Sequence, residues 1–290
     1  MNRFWIFNQY WHHILNMTLI DLGISGYSIV KNFLTPTEIQ SLSNDYSQNK
    51  TIDNTNYTAS VASRSIEDIL FPKIRIMLEL IKKKSGITAD FLIPIACYLN
   101  NKDSDFKWHQ DHESFYVHQQ HKNYLNFYIP FVKPDSKKSG LGIIPLDLLG
   151  MHCPYHINKI VNSGATRFFP NGNSTEVYND DSGEQYILPI NLDELAEYPE
   201  LFVGDLLIMR GDIIHKTQDT LTNRNAVTVR CTDGDIMVNK NTLVNGCEKK
   251  LTIIKNNQRM YDNIISKFGD NNEIAAKKLY EDDSCLIAKK

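Results

Sequence analysis

The sequence predicts a mainly β fold with flanking helices, its strands gathered around one polar site. Three observations carry this. Strand-like runs at 93–99 and 123–131 bracket a His-x-Asp motif, and an apolar run, Leu206-Leu207-Ile208-Met209, leads through Gly211-Asp212 to a further histidine, His215. Helical patterns are confined to the segments before about 90 and after 235. With 290 residues, 42% of them hydrophobic and 22% charged, the chain can bury a sizeable core and is expected to form one domain.

The elements follow in order. The start, with Trp5, Trp11, His12 and His13, is aromatic but interrupted by polar residues. It is expected to pack as an amphipathic segment, with no signal peptide and no membrane span. Thr35-Pro36-Thr37-Glu38 combines an N-cap, a proline at the first helical position and a capping-box glutamate, so a helix should run to about Gln48. Residues 49–58 are polar and read as loop. A second helix starts near Ser65, with Pro72 breaking or kinking it and Gly86 ending it. Residues 150–199, rich in Asn, Gly, Ser and Asp around 171–183, read as an insertion or lid over the barrel mouth. Helices are expected at 258–268 and 273–280, within a C-terminal extension of about 235–290.

The chemistry concentrates in two segments. In Phe106-Lys107-Trp108-His109-Gln110-Asp111, residues i and i+2 of a strand share a face, so His109 and Asp111 can reach one ion. His215 would complete a set of two imidazoles and one carboxylate, which leaves open positions on the metal, as in non-haem Fe(II) oxygenases. Nine residues beyond His215, Arg224 can grip a carboxylate through two parallel hydrogen bonds, and Thr217 can add a hydroxyl if its strand continues. His112, His118 and His121 lack the partner set of a zinc site and read as a solvated or substrate-facing loop. Trp108, Phe115, Tyr116, Tyr124 and Tyr128 read as core before pocket.

These motifs, in this order, resemble the phytanoyl-CoA dioxygenase-like branch of the Fe(II)/2-oxoglutarate-dependent oxygenases, over about 22–232. The likeness rests on Gly26 to Ile39, His109-x-Asp111, Gly140-Leu-Gly-Ile-Ile-Pro145, Gly204-Asp-Leu-Leu before His215, and Arg224-x-Ala-Val-Thr. It implies a double-stranded β-helix (jelly roll, cupin-like) that hydroxylates a small molecule while 2-oxoglutarate and O2 are consumed and succinate is released. By the same resemblance, His109, Asp111 and His215 bind Fe(II), and Arg224 with Thr217 holds the C5 carboxylate of 2-oxoglutarate. Gln110, Tyr98 and Asn126 join the cofactor pocket. The stretch Phe106–Glu113 is also similar to ectoine hydroxylases. Asp111 disfavours halogenation, because halogenating members carry a small residue there. Leu146-Asp147-Leu148 replaces the family's Gly-Ser-His run, so the substrate is not inherited.

A net charge of −3 gives no basic field, so nucleic acid is not expected as a partner. The five cysteines lack any paired spacing and read as reduced thiols in a cytoplasmic protein. Two alternatives stay open: a non-catalytic cupin-like binding protein, and an AlkB-like nucleic-acid demethylase. The second draws on Arg224-x-x-x-Thr228-x-Arg230, in which Ala226 stands where that signature has Asn.

Overall fold

Six strands form a wall whose central strands, Leu125–Val132, Leu206–Arg210 and Asn225–Thr232, are buried on both faces. Its order is β1 (Tyr27–Val30), β9 (Leu206–Arg210), β4 (Leu125–Val132), β11 (Asn225–Thr232), β3 (Phe91–Asn100) and β2 (Tyr57–Ser60), antiparallel throughout. The computed structural model describes residues 19, 21–49, 57–60, 63, 65–100, 105–112, 117–246, 248, 250–252 and 258–280. The aromatic N-terminal segment, most of the expected loop at 49–58, Phe115 and Tyr116 lie outside these.

Strand parity divides the wall into two chemistries. Leu125, Phe127, Ile129 and Phe131 of β4 and Val227, Val229 and Cys231 of β11 pack outward, against helices α1 (Pro36–Asn49) and α2 (Phe71–Ser85). The alternate residues Asn126, Tyr128, Thr228 and Arg230 face inward and line a cleft. Burial on both faces explains why these strands read as apolar runs broken only at a few positions.

The helices are set by the local signals the sequence shows. Thr35 and Glu38 cap reciprocally: the Thr35 amide donates to Glu38 Oε2 at 2.8 Å and the Glu38 amide to Thr35 Oγ1 at 3.3 Å. Pro72 stands in the first turn of α2, where a π-helical turn (Ile66–Leu70) hands over to the α-helix, and Gly86 closes it at φ 68°. Gly204 turns the chain into β9 at φ +84°; a Cβ there would come within 2.7 Å of Ile39 Cδ1.

A second sheet faces the wall. Strand β5 (Leu141–Ile144) pairs with β10 (Ile214–Thr217), and β6 (Thr166–Asn171), β7 (Ser174–Asn179) and β8 (Gln185–Leu188) form a meander. The extended segment 106–111 lies between these two pieces, and His109 bridges to His215 on one side and to Arg167 on the other. The chain passes from wall to facing sheet and back, as β3, 106–111, β4, β5 and then β9, β10, β11. This is the double-stranded β-helix, mainly antiparallel β with flanking helices.

Residues 150–199, expected as an insertion or lid, hold the end of α3 (Leu146–His152), α4 (Ile157–Ile160) and the β6–β8 meander, around their own core of Phe168, Val177, Leu188 and Leu192. Their Asn, Gly and Asp residues are hairpin-turn residues between short alternating strands. The helix expected at 273–280 is instead strand β13 (Glu273–Ala275), paired with β12 (Met237–Asn239), and a 3-10 turn over Ala276–Tyr280. That pairing uses the backbone groups a helix would need, while α5 (Gln258–Ser266) forms within the expected range. Among the described residues, no helix is long and apolar enough to cross a membrane.

Candidate metal centre

His109 and His215 exchange both backbone hydrogen bonds, each amide donating to the other's carbonyl at 3.0 Å. This closely paired geometry sets the two imidazoles side by side, with ring centroids 4.4 Å apart. Asp111 follows two residues after His109 on the same face. His109 Nε2 and His215 Nε2 stand 3.9 Å and 3.6 Å from Asp111 Oδ1, and one ligand atom from each residue falls within 4.8 Å of the others. No other cluster of this kind occurs among the described residues.

The same backbone device fixes both rings. His109 Nδ1 lies 2.7 Å from the Lys107 carbonyl, and His215 Nδ1 3.2 Å from the Ile213 carbonyl. A carbonyl only accepts, so each Nδ1 carries the proton and each Nε2 offers a lone pair. Burial, aided by His215, pushes His109 down to about 4, which keeps it neutral. Burial pushes the Asp111 carboxyl up, but His215, Arg230, His109 and His112 outweigh it and hold the group below its ordinary value. Neutral imidazoles and an ionised carboxylate are the forms that bind a divalent cation.

A cleft opens between the sheets around the triad. Leu99, Asn126, Tyr128, Met209, Thr228 and Arg230 line it from the wall; Phe106, Leu141 and Thr217 join the triad from the facing sheet. Arg224, just before β11, closes one end. It is 2% exposed, and its Nη1 donates only to the carbonyls of Ser139 (3.1 Å) and Gly140 (3.4 Å), while Nε has no partner. A buried guanidinium held by carbonyls alone calls for an anion. Tyr128 lies under it, with the ring centroid 5.9 Å from Cζ. Thr217 lies on β10 two residues beyond His215, on the same face, and its Oγ1 accepts from the Phe106 amide at 3.2 Å. The residues present therefore fit both a divalent ion and a carboxylate-bearing cosubstrate.

Two expected pocket residues lie elsewhere. Gln110 is fully buried on the opposite face from His109 and Asp111, and its Nε2 donates to the carbonyls of Ile160 (2.8 Å) and Asp212 (2.7 Å). Tyr98 points to the helical side of β3, where its hydroxyl donates to Asp45 on α1. Both errors have one cause, strand parity: Gln110 is flanked by inward-facing neighbours, and Tyr98 belongs to the outward set with Ala96. Asn126 does line the cleft, and its buried Oδ1 has no hydrogen-bond partner.

Sequence reasoning missed Arg230 and Thr228 as cleft residues and ranked Tyr128 as core. Stepping by two along β11 from Arg224 would have found the first two. Of the remaining histidines, His112 Nε2 meets Asp180 at 3.0 Å and His118 Nε2 meets the Tyr280 hydroxyl at 3.0 Å.

Neither family models nor curated proteins match this chain. Several solved structures do. The epimerase SnoN in complex with Fe3+, alpha-ketoglutarate and nogalamycin RO shares 13% identity, 77% of this chain and 85% of its own, at a TM-score of 0.49. A Pseudomonas putida prolyl-4-hydroxylase shares 10% identity over 75% of this chain and 98% of its own, at 0.44. HygX from Streptomyces hygroscopicus, with nickel, 2-oxoglutarate and hygromycin B bound, shares 12% identity over 77% and 86%, at 0.43. At such identities and scores these likenesses carry no weight for function, which rests on the residues themselves.

Proposed function

We propose that this chain is an Fe(II)- and 2-oxoglutarate-dependent dioxygenase that hydroxylates a small molecule, of the phytanoyl-CoA dioxygenase-like kind. One observation carries the reading: a His-x-Asp…His triad and a buried arginine without an acidic partner share one cleft. With Fe(II) held there, O2 would be the oxidant: two electrons would come from 2-oxoglutarate as it gives succinate and CO2, and two from a substrate C–H bond that takes up one of the oxygen atoms.

The chain's own residues do the rest. His109, Asp111 and His215 bind the ion, in orientations the two carbonyl bonds fix. Arg224 and Thr217 hold the distal carboxylate of the cosubstrate and so set its register along the cleft. Phe106, Leu99, Leu141 and Met209 exclude water from the reacting position. The reading is tested by adding Fe(II) and then 2-oxoglutarate to the protein under nitrogen and following visible absorption. A weak charge-transfer band is expected in the wild type and absent in Asp111→Ala. Iron uptake with no band on adding 2-oxoglutarate would remove the cosubstrate from the reading.

A further inference from the structure

We propose that Lys133 is a positioning residue for the cosubstrate: its buried ammonium folds the turn after β4 into the seat that aims Arg224, and so sets the affinity for a distal carboxylate. This rests on the reading of Arg224 as the cosubstrate anchor.

The turn Lys133-Pro-Asp-Ser-Lys-Lys-Ser-Gly140 carries three lysines, and only the first is drawn inside. Lys137 and Lys138 are exposed, whereas Lys133 is 6% exposed. What draws it in is not an acid. Its Nζ donates to the carbonyls of Asp135 and Ser136, each at 3.0 Å, and to that of Lys138. These acceptors match the donors of an ammonium, so the group is satisfied in its charged form. The next carbonyls of the same turn, those of Ser139 and Gly140, are the ones that hold Arg224. One short turn therefore divides its carbonyls between two buried cations. Lys133 also reaches the Arg224 end of the turn, since a Cβ on Gly140 would lie 4.0 Å from its Nζ.

The seat is held against strain. Ser139 adopts the left-handed region at φ 53°, a conformation that a non-glycine residue keeps only where its surroundings impose it. Its amide donates to Asp219 Oδ2 at 2.6 Å and its hydroxyl to the Thr222 carbonyl at 2.7 Å, while the Gly140 amide donates to Gln218 Oε1 at 2.9 Å. The segment between β10 and Arg224 thus clasps the turn from one side, and Lys133 gathers it from the other. Without Lys133, Ser139 is free to relax and to turn its carbonyl away from Arg224.

Charge acts in the same direction. Neither cation is bonded to an acid among the described residues. The acids nearby are engaged elsewhere: Asp219 accepts from the amides of Ser139, Leu221 and Thr222, Asp135 from the Lys137 amide, and Glu200 from the Ser136 hydroxyl. Burial and Arg224 push the Lys133 ammonium below its ordinary value, against the pull of Asp135, Asp219 and Glu200. Two like charges held by carbonyls favour an incoming carboxylate. Lys133 is not among the residues that line the cleft, so it acts through the turn and through its field.

The test uses full-length protein loaded with Mn(II), titrated calorimetrically with 2-oxoglutarate and with 2-oxopentanoate, which has the same metal-binding head and chain length but no distal carboxylate. The ratio of the two affinities reads the anchor alone. The wild type is expected to prefer 2-oxoglutarate at least about tenfold, and Arg224→Gln to erase the preference. Lys133→Met keeps an unbranched side chain without its charge. It should cut the preference at least about fivefold while affinity for Mn(II) and for 2-oxopentanoate changes by less than about twofold. Lys133→Arg, which keeps the charge and the donors, should retain part of the preference. Ser139→Ala loosens the seat from the other side; it should lower the preference about two- to threefold, and it stands in for Lys133→Met should that variant not fold. An unchanged preference in Lys133→Met, or in Ser139→Ala where it stands in, would overturn the proposal, and so would an equal loss for both ligands. A wild type that binds both ligands alike would instead remove the reading of Arg224 beneath it.

Discussion

The two facing sheets are held together on different terms. The six-stranded wall has continuous ladders, and its outward face packs on two helices in one large apolar core. The short strand that carries His109 and Asp111 makes backbone hydrogen bonds to residues 165–168 on one side and to His215 and Thr217 on the other. Buried polar clamps on the strand add to these. Gln110 ties it to the β9–β10 turn, where Arg210 and Asp212 form a buried ion pair. His112 reaches Asp180, which is also bound by Arg167 through Nε at 2.7 Å and Nη2 at 2.8 Å. Stability is concentrated in the wall, and the placement of ligands depends on a few hydrogen bonds in the facing sheet.

Breaking the wall should give the largest effect on stability. Phe127→Ala removes a fully buried ring and is expected to cost about 3–5 kcal/mol in urea unfolding, with metal affinity of the folded fraction unchanged. A matching loss of metal affinity would mean that the two sheets are not separable in this way. Gln110→Ala should show the opposite profile. It leaves two buried carbonyls without their donor, for about 1–3 kcal/mol, and should lower metal affinity roughly 10–100-fold. Unchanged metal binding in this variant would deny Gln110 its positioning role.

Acid should sharpen the contrast. Burial, with Arg230 nearby, holds His118 down to about 3, and burial holds His121 down to about 4 against the pull of Asp212 and Asp181. Unfolded imidazoles titrate near 6.5, so below that pH the unfolded chain takes up protons that the folded chain refuses. Their contribution is complete above about pH 6.5 and is lost progressively as pH falls toward 4 and 3. His118→Gln should therefore flatten the dependence of unfolding free energy on pH in that window; an equal slope would place the proton uptake elsewhere. The smallest effect belongs to the helix cap, where Thr35→Ala should cost about 1 kcal/mol and leave metal binding untouched.

Much of this contrast was legible in the sequence. His109, Asp111 and His215 stood out because a metal needs like-facing ligands at strand spacing, and Thr35–Glu38 because a cap is a local device. What failed was non-local. Glu273 to Ala275 becomes a strand only because Met237 to Asn239 pairs with it, and the polar stretch at 171–183 reads as loop until its hairpins find the strand of His109. Gln110 and Tyr98 were assigned to the pocket by resemblance rather than by parity, and parity decides which face a strand residue serves.

The most direct test of the central claim, that the triad is a metal site with open positions, is equilibrium dialysis of the chain against Co(II) under nitrogen, with bound metal and visible spectra recorded. The account predicts about one ion per chain, a weak spectrum of high coordination number that shifts when 2-oxoglutarate is added, and loss of the ion in both Asp111→Ala and His215→Ala. Tight binding that survives both substitutions, or an intense tetrahedral spectrum indifferent to 2-oxoglutarate, would contradict it.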